Sequence, residues 1–232
     1  MRNFFAIFVI FGLISALYAN EPHKGLKMPM DYRAVPFSKA QILQDGETKM
    51  FCNKCGMTLP MFYRTNHAAT VDGKVMQFCS MYCLVEAMKD AKEVKDIKVV
   101  DNKSLKFIPA NEAWYVVGSS KPATMAAKVS KYAFANKEDA LEFAKKYGGK
   151  VMTFKEALEI AKRDFESDTK AKEMRQAKAA KKGEMIYKAK CKPIDKKFTS
   201  VAEAKAYVKS TKVCGDIKGK PLQALGLYLI SR

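Results

Sequence analysis

Apolar positions along the chain switch between a two-residue and a helical rhythm, and between residues 48 and 160 they do so twice in the same order. Ala68-Ala69-Thr70-Val71 and Lys74-Val75-Met76-Gln77-Phe78 are short β-type runs flanking Asp72-Gly73, a dipeptide that favours a hairpin turn because both residues tolerate positive φ. A helical pattern follows from Ser80 to about Ala91, with Leu84, Val85, Ala87, Met88 and Ala91 apolar, and then a strand at Ile97–Val100. In the second half, Ala113–Val117 and Lys131–Phe134 read as strands. Asn136 is the expected cap of a helix whose first turn carries Glu138 and Asp139, facing the positive end of its dipole. That helix runs to Tyr147, stops at Gly148-Gly149 and leads into a closing strand, Lys150–Phe154. The predicted class is α+β: two β-β-α-β repeats, then a long helix and a small, mainly helical module.

The long helix starts at Thr153-Phe154-Lys155-Glu156, a capping-box pattern, and carries an apolar stripe of Ala157, Leu158, Ile160, Ala161 and Phe165. Beyond Ser167 the stripe gives way to lysine, alanine and glutamate. Residues 163–183 are therefore expected to be a basic, solvent-exposed helical linker ending near Gly183. Residues 184–232 are expected to form a module with a limited core from Ala202–Val208 and Leu222–Ile230.

At the other end, Met1-Arg2-Asn3 precedes an almost unbroken apolar run, Phe4–Leu17, with Ala19 offering a small residue for cleavage. This is the pattern of a secretory signal peptide over residues 1–19, too short to span a bilayer comfortably. The expectation is an exported, soluble product with no transmembrane segment after signal cleavage. Residues 20–47 read as an extended lead in which only Ser38–Leu43 could make a helical turn. His23, Met28 and Met30 in this lead could assist a soft metal.

Charge then narrows the partners. The chain holds 42 basic and 24 acidic residues, a net +18, and from Arg163 onward it holds 18 basic and 8 acidic ones. Such a balance usually points to nucleic acid, but an exported protein rarely meets it, and the lysines run along helices instead of interleaving with aromatics. A solvated basic surface facing an acidic partner or anionic lipid headgroups fits better.

The candidate chemistry is sulfur. Cys52 and Cys55 have the C-x-x-C spacing that lets one turn present two thiolates to an ion. Cys79 and Cys83 lie four apart at the start of a helix, where they share a face and the dipole favours the thiolate. The two pairs frame the hairpin, which could fold one pair onto the other. Four sulfurs would suit zinc. Thioethers nearby, at Met57, Met61, Met76 and Met81 and at Met125 in the second unit, tilt the set toward Cu(I), although Met76 and Met88 also fit as core. His67, between the pairs, is a candidate ligand or donor to a ligand. In an oxidising compartment the six cysteines could instead form three disulfides. Cys191 and Cys214 are read as a disulfide stapling the C-terminal module. The approach to Cys191 looks like a c-type haem site, but the second cysteine and the histidine of C-x-x-C-H are absent.

Cys55-Gly56-Met57 within C-x-x-C-G-M, Asn66-His67-Ala68-Ala69 before a D-G-K turn, and Tyr132–Asn136 followed by Gly148-Gly149-Lys150-Val151 together resemble the NosL family over about residues 48–162. NosL proteins are nitrous oxide reductase accessory proteins. The resemblance implies a periplasmic Cu(I) chaperone of two β-β-α-β repeats that delivers copper for the metal sites of nitrous oxide reductase. Its partners would be the apo-enzyme or its membrane-bound maturation transporter. The motif cysteine and methionine map onto Cys55 and Met57, and Met125 lies where a second-half thioether would fit. The chain lacks the lipid-accepting cysteine of many members and adds Cys52, Cys79 and Cys83. Two further readings stand beside this one: a structural zinc module with four cysteine ligands, and a thiol oxidoreductase using Cys52 and Cys55. The sequence shows no Ser-His-Asp set, paired carboxylates or phosphate loop, which argues against an enzyme.

Overall fold

The computed structural model describes residues 31–232, so the expected signal peptide over 1–19 and His23, Met28 and Met30 lie outside the described residues. Two antiparallel sheets form the front of the molecule. In the first, β1 (His67–Val71) and β2 (Lys74–Phe78) make a hairpin, and β3 (Val94–Val100) and β4 (Phe107–Pro109) complete the order β2-β1-β3-β4. Asp72 and Gly73 both take positive φ, 45° and 79°, as a two-residue turn between right-twisted strands requires. The second sheet, of β5 (Trp114–Val117), β6 (Lys131–Phe134) and β7 (Lys150–Thr153), has the order β6-β5-β7. In each sheet the strand that opens the unit lies between its hairpin partner and the strand that returns after a helix, α1 (Met81–Asp90) in the first and α2 (Lys137–Tyr147) in the second.

The differences from expectation have local causes. β3 starts at Val94, three residues early, because Lys95 and Asp96 are exposed on a strand whose apolar signal begins only at Ile97. The three-residue β4 is too short to register as an alternation. Its Ile108 pairs with Val99. Near residues 38–43 the only helical turn is Phe37–Lys39, of 3-10 type. Phe154 leaves the closing strand because Thr153 caps the next helix, with its hydroxyl accepting from Glu156 N–H and the Glu156 carboxylate accepting from Thr153 N–H.

That helix, α3 (Phe154–Lys190), does not end at Gly183 but continues without a break to Lys190. Nor is its second half simply solvent-exposed. After α4 (Val201–Thr211), α5 (Gly219–Ser231) packs along it, with Tyr187 and Tyr228 ring centroids 5.5 Å apart. A Cβ at Gly183 would lie 2.0 Å from the Ala224 carbonyl oxygen, so this glycine is a close-approach point and not a terminator. The Cys191–Cys214 disulfide ties the end of α3 to the loop after α4 across 23 residues, a constraint worth about 3 kcal/mol for a loop of that order. Among the described residues no helix is long and apolar enough to cross a membrane.

The first core lies between β1, β2 and α1 and contains all four remaining cysteines. The second joins Val99, Tyr115 and Ala133 to Ala157 and Ala161 of α3. Ile194, Ala204, Val208, Leu225 and Leu229 form a separate core for the C-terminal helices.

Candidate metal centre

A closed loop carries the first cysteine pair. Phe51 and Thr58 form an isolated antiparallel bridge, Cys52 N–H donates to Met57 O at 2.8 Å, and Gly56 N–H donates to Cys52 O at 2.9 Å. Gly56 sits at φ +70°, a conformation that costs glycine little and other residues more. Asn53 N–H reaches Gln77 O at 3.1 Å, which fastens this loop to the end of the hairpin. The second pair stands at that same end. Cys79 follows β2, Ser80 caps α1, and Cys83 N–H donates to the Ser80 hydroxyl at 3.4 Å.

The four sulfurs converge. All lie within 4.8 Å of one another, with Cys55 and Cys79 Sγ atoms 3.4 Å apart and those of Cys79 and Cys83 3.8 Å apart. A tetrahedron of thiolates at 2.3 Å from a metal has edges of about 3.8 Å, so the set needs little adjustment to hold one ion. None of the four exceeds 2% exposure, and all four are free thiols. Their electrostatics are unequal. Burial, followed by contact with Cys52 and Cys55, pushes Cys79 well above the usual thiol range. Contact with Cys52, Cys55 and Cys79 pushes Cys83 up further than burial does. Cys52 is buried too, but the thiols of Cys55, Cys79 and Cys83 turned toward it outweigh burial and hold it well below the usual range. Four adjacent buried thiols are a donor set that a soft cation could occupy only by displacing their protons.

The thioethers sit beside the cage. Met57 and Met125 are partly buried against the thiol core and, with Lys172, Arg175 and Gln223, help line a cavity of about 160 Å³. The Met125 loop is held there by a chain of bonds: the Thr124 and Thr65 hydroxyls lie 2.7 Å apart, and the Thr65 hydroxyl donates to Cys79 O at 2.8 Å. Arg175 of α3 donates to Met125 O at 3.0 Å, and Met125 itself takes φ +61°. Of the other methionines, Met61 is exposed, Met76 packs on the first core and Met81 faces the second.

The structure does not bring His67 to the sulfurs. Its Nδ1 lies 3.1 Å from Thr65 O and its Nε2 lies 3.2 Å from the Tyr115 hydroxyl, with the two rings stacked. Burial pulls its pKa down to about 4, so the neutral ring bridges β1 to β5. Proximity in sequence to the cysteines pointed toward the metal, but β1 carries the ring to Tyr115 in the other sheet.

Two residues that pattern reasoning missed touch the cysteine loop from the C-terminal helices. Lys205 Nζ donates to Gly56 O at 2.5 Å, to Gln223 Oε1 at 2.7 Å and to Thr58 Oγ1 at 3.4 Å. Gln223 Nε2 donates to Cys55 O at 3.0 Å. Gly56 is required on packing grounds as well, since a Cβ there would meet Val201 Cγ1 at 2.5 Å. Burial pulls the Lys205 pKa down to about 7 against an upward pull from Cys55 and Cys52. The available signal was a lysine on the small-residue face Ala202-x-Ala204-Lys205, masked by the lysine-rich tail around it.

The Cys52-x-x-Cys55 pair runs into a 3-10 segment, Leu59–Thr65, and does not open an α-helix as a thioredoxin-type pair does. A comparison with curated proteins finds no match. Among solved structures, a crystal structure of the copper chaperone NosL from Shewanella denitrificans is similar at 28% identity, covering 50% of this chain and 96% of that one, with a TM-score of 0.38. Residues 43–160, which include both sheets and the whole sulfur cluster, match the NosL family, and the chain belongs to that family.

Proposed function

We propose that this protein is an exported Cu(I) carrier, a binding protein and not an enzyme, that supplies copper for assembly of the nitrous oxide reductase metal sites. Its receivers are the apo-enzyme or its membrane-bound maturation transporter, and its place is the periplasm. The observation that carries this reading is four mutually adjacent thiols with two thioethers at the bordering cavity, a donor set suited to a soft monovalent ion. Membership of the NosL family supports it. The disulfide at Cys191–Cys214 suits an oxidising compartment. Residues 48–162 act as the metal-binding domain, built as two β-β-α-β repeats, residues 163–183 as its helical extension, and residues 184–232 as an accessory module.

Cu(I) enters through Met57 and Met125 and is held by the deeper thiolates. Exchange between few sulfur ligands then allows release to a receiver without free copper. Anaerobic competition against a chromogenic Cu(I) chelator tests the reading. The parent is expected to withdraw copper from the chelator, and Cys55→Ser and Met57→Ala to withdraw less. Variants that bind like the parent, or a parent that leaves the chelator's copper untouched, would sink it.

The complete burial and near-tetrahedral spacing of the thiols favour one alternative, a structural zinc site. One stoichiometric, non-exchanging zinc in purified protein, with unfolding on chelation, would decide for it.

A further inference from the structure

Among the described residues, Lys205 is a buried amine without a carboxylate partner. It is 1% exposed, and its ammonium meets only neutral acceptors, the Gly56 carbonyl, the Gln223 amide oxygen and the Thr58 hydroxyl, together with the face of Phe51 at 4.3 Å. Glu203, the one acid of α4, pairs with Lys196 instead, at 3.2 Å. An ammonium taken out of water this completely is costly unless a negative charge lies close by. The group placed to supply that charge is the sulfur cage. The carbonyl that Lys205 holds belongs to the residue after Cys55, and its partner Gln223 holds the carbonyl of Cys55 itself. Once loaded, the cage is anionic: three thiolates around Cu(I) leave a formal charge of minus two, and four leave minus three.

We propose that Lys205 is the counter-charge of the loaded thiolate centre, held against it by α4 and α5, so that a segment outside the family match completes the metal site. The proposal rests on the Cu(I) reading above. Lys205 touches no metal; it is a positioning residue whose charge favours the fully deprotonated, high-thiolate form of the cage. Val201 packed over Gly56 and Gln223 bonded to Cys55 fix its distance. The C-terminal helices then serve as a wall of the site and not as a dangling appendage.

The test uses the full chain, as parent, Lys205→Met and Lys205→Gln. Glutamine is the smaller change, able still to donate to Gly56, and it carries the test if the methionine variant does not fold. Three quantities are measured: Cu(I) affinity by anaerobic chelator competition, near-ultraviolet thiolate-to-copper absorption per bound copper, and thermal unfolding of the metal-free protein. Both variants are expected to bind copper about 10–100-fold more weakly, with less charge-transfer absorption, as for the loss of a group just outside the ligands. The metal-free variants should melt no lower than the parent, because a buried amine with no acid partner has been removed. Variants that bind within about twofold of the parent overturn the proposal, and lower metal-free stability with unchanged affinity makes Lys205 a purely structural anchor. A parent that takes no Cu(I) overturns the functional reading and this proposal with it, whereas a copper-binding parent with unchanged variants overturns this proposal alone.

Discussion

The two sheets share a strand order, yet among the described residues only the first carries a cluster of thiols, and their helices explain why. α1 buries six of its ten residues, Cys83 among them, under α3, whereas α2 buries only Ala140 and Phe143 of its eleven. Both helices begin just after a strand. The first presents Cys79 and Cys83 around its capping serine, and the second carries exposed Glu138 and half-buried Asp139, the latter paired with Lys103 at 3.0 Å. The same turn of backbone carries a buried thiol pair where the helix is covered and an acidic pair where it is not. α3 and the C-terminal helices supply the cover, together with Lys205 and Gln223. At this strand-helix junction the thiols are gathered under a further layer of helix.

The sharpest way to break this comparison is to disarm the first junction alone. Cys79→Ala with Cys83→Ala should lower Cu(I) affinity by at least about 1,000-fold in chelator competition, since losing even an outer-shell group costs 10–100-fold. Far-ultraviolet circular dichroism should stay near that of the parent, because alanine replaces small buried side chains. The mirror experiment is Phe143→Ala under α2. Phe143 anchors a cluster with Tyr132, Phe134 and Tyr147, so truncation should cost about 3 kcal/mol in denaturant unfolding and leave copper affinity unchanged. A large loss of affinity in this variant would show that the second sheet is more than a scaffold.

His67 links the two units, and its protonation state gives a finer probe. Its folded pKa, about 4, lies below the ordinary 6.5, so between these values the native protein binds fewer protons than the unfolded chain. The stability gained from the neutral ring is fully present above about pH 6.5 and is lost as pH falls through about 4, amounting to at most about 3 kcal/mol. An imidazole NMR titration with a midpoint near 4, alongside unfolding free energies that fall from pH 7 to pH 4.5, would agree. A midpoint near 6.5 would mean that the ring is not sealed between the sheets.

Much of the front of the molecule was legible in its local signals. The Asp72-Gly73 turn, the helix start at Ser80, the Thr153–Glu156 capping box and the Gly148 stop each depend on a few neighbouring residues, and each appears where the pattern places it. The hairpin between the two cysteine pairs brings them together, and the two cysteines outside that cluster, Cys191 and Cys214, are bonded to each other. Long-range packing was not legible. Gly183 reads as a helix end until Ala224 is placed against it, and Lys205 reads as one tail lysine among many until α4 docks on Gly56. His67 shows the converse error, in which nearness in sequence to the cysteines suggested a contact that the strand directs elsewhere.

Met125 tests the smallest and most specific part of the comparison, because it carries a thioether from the second unit to the cavity beside the thiols. Its backbone is held in a left-handed conformation, with its carbonyl on Arg175 and its neighbour Thr124 tied to Thr65 and Cys79. A residue needed only to fill space does not demand that much positioning. Met125→Leu keeps an unbranched Cβ and a similar apolar volume, so stability should change by less than about 1.5 kcal/mol. What it removes is a soft sulfur donor, and the expected result is about tenfold weaker Cu(I) retention or correspondingly faster loss to chelator, about 1.4 kcal/mol. Equal retention in the leucine variant would confine the copper site to the first unit and leave the second with packing alone.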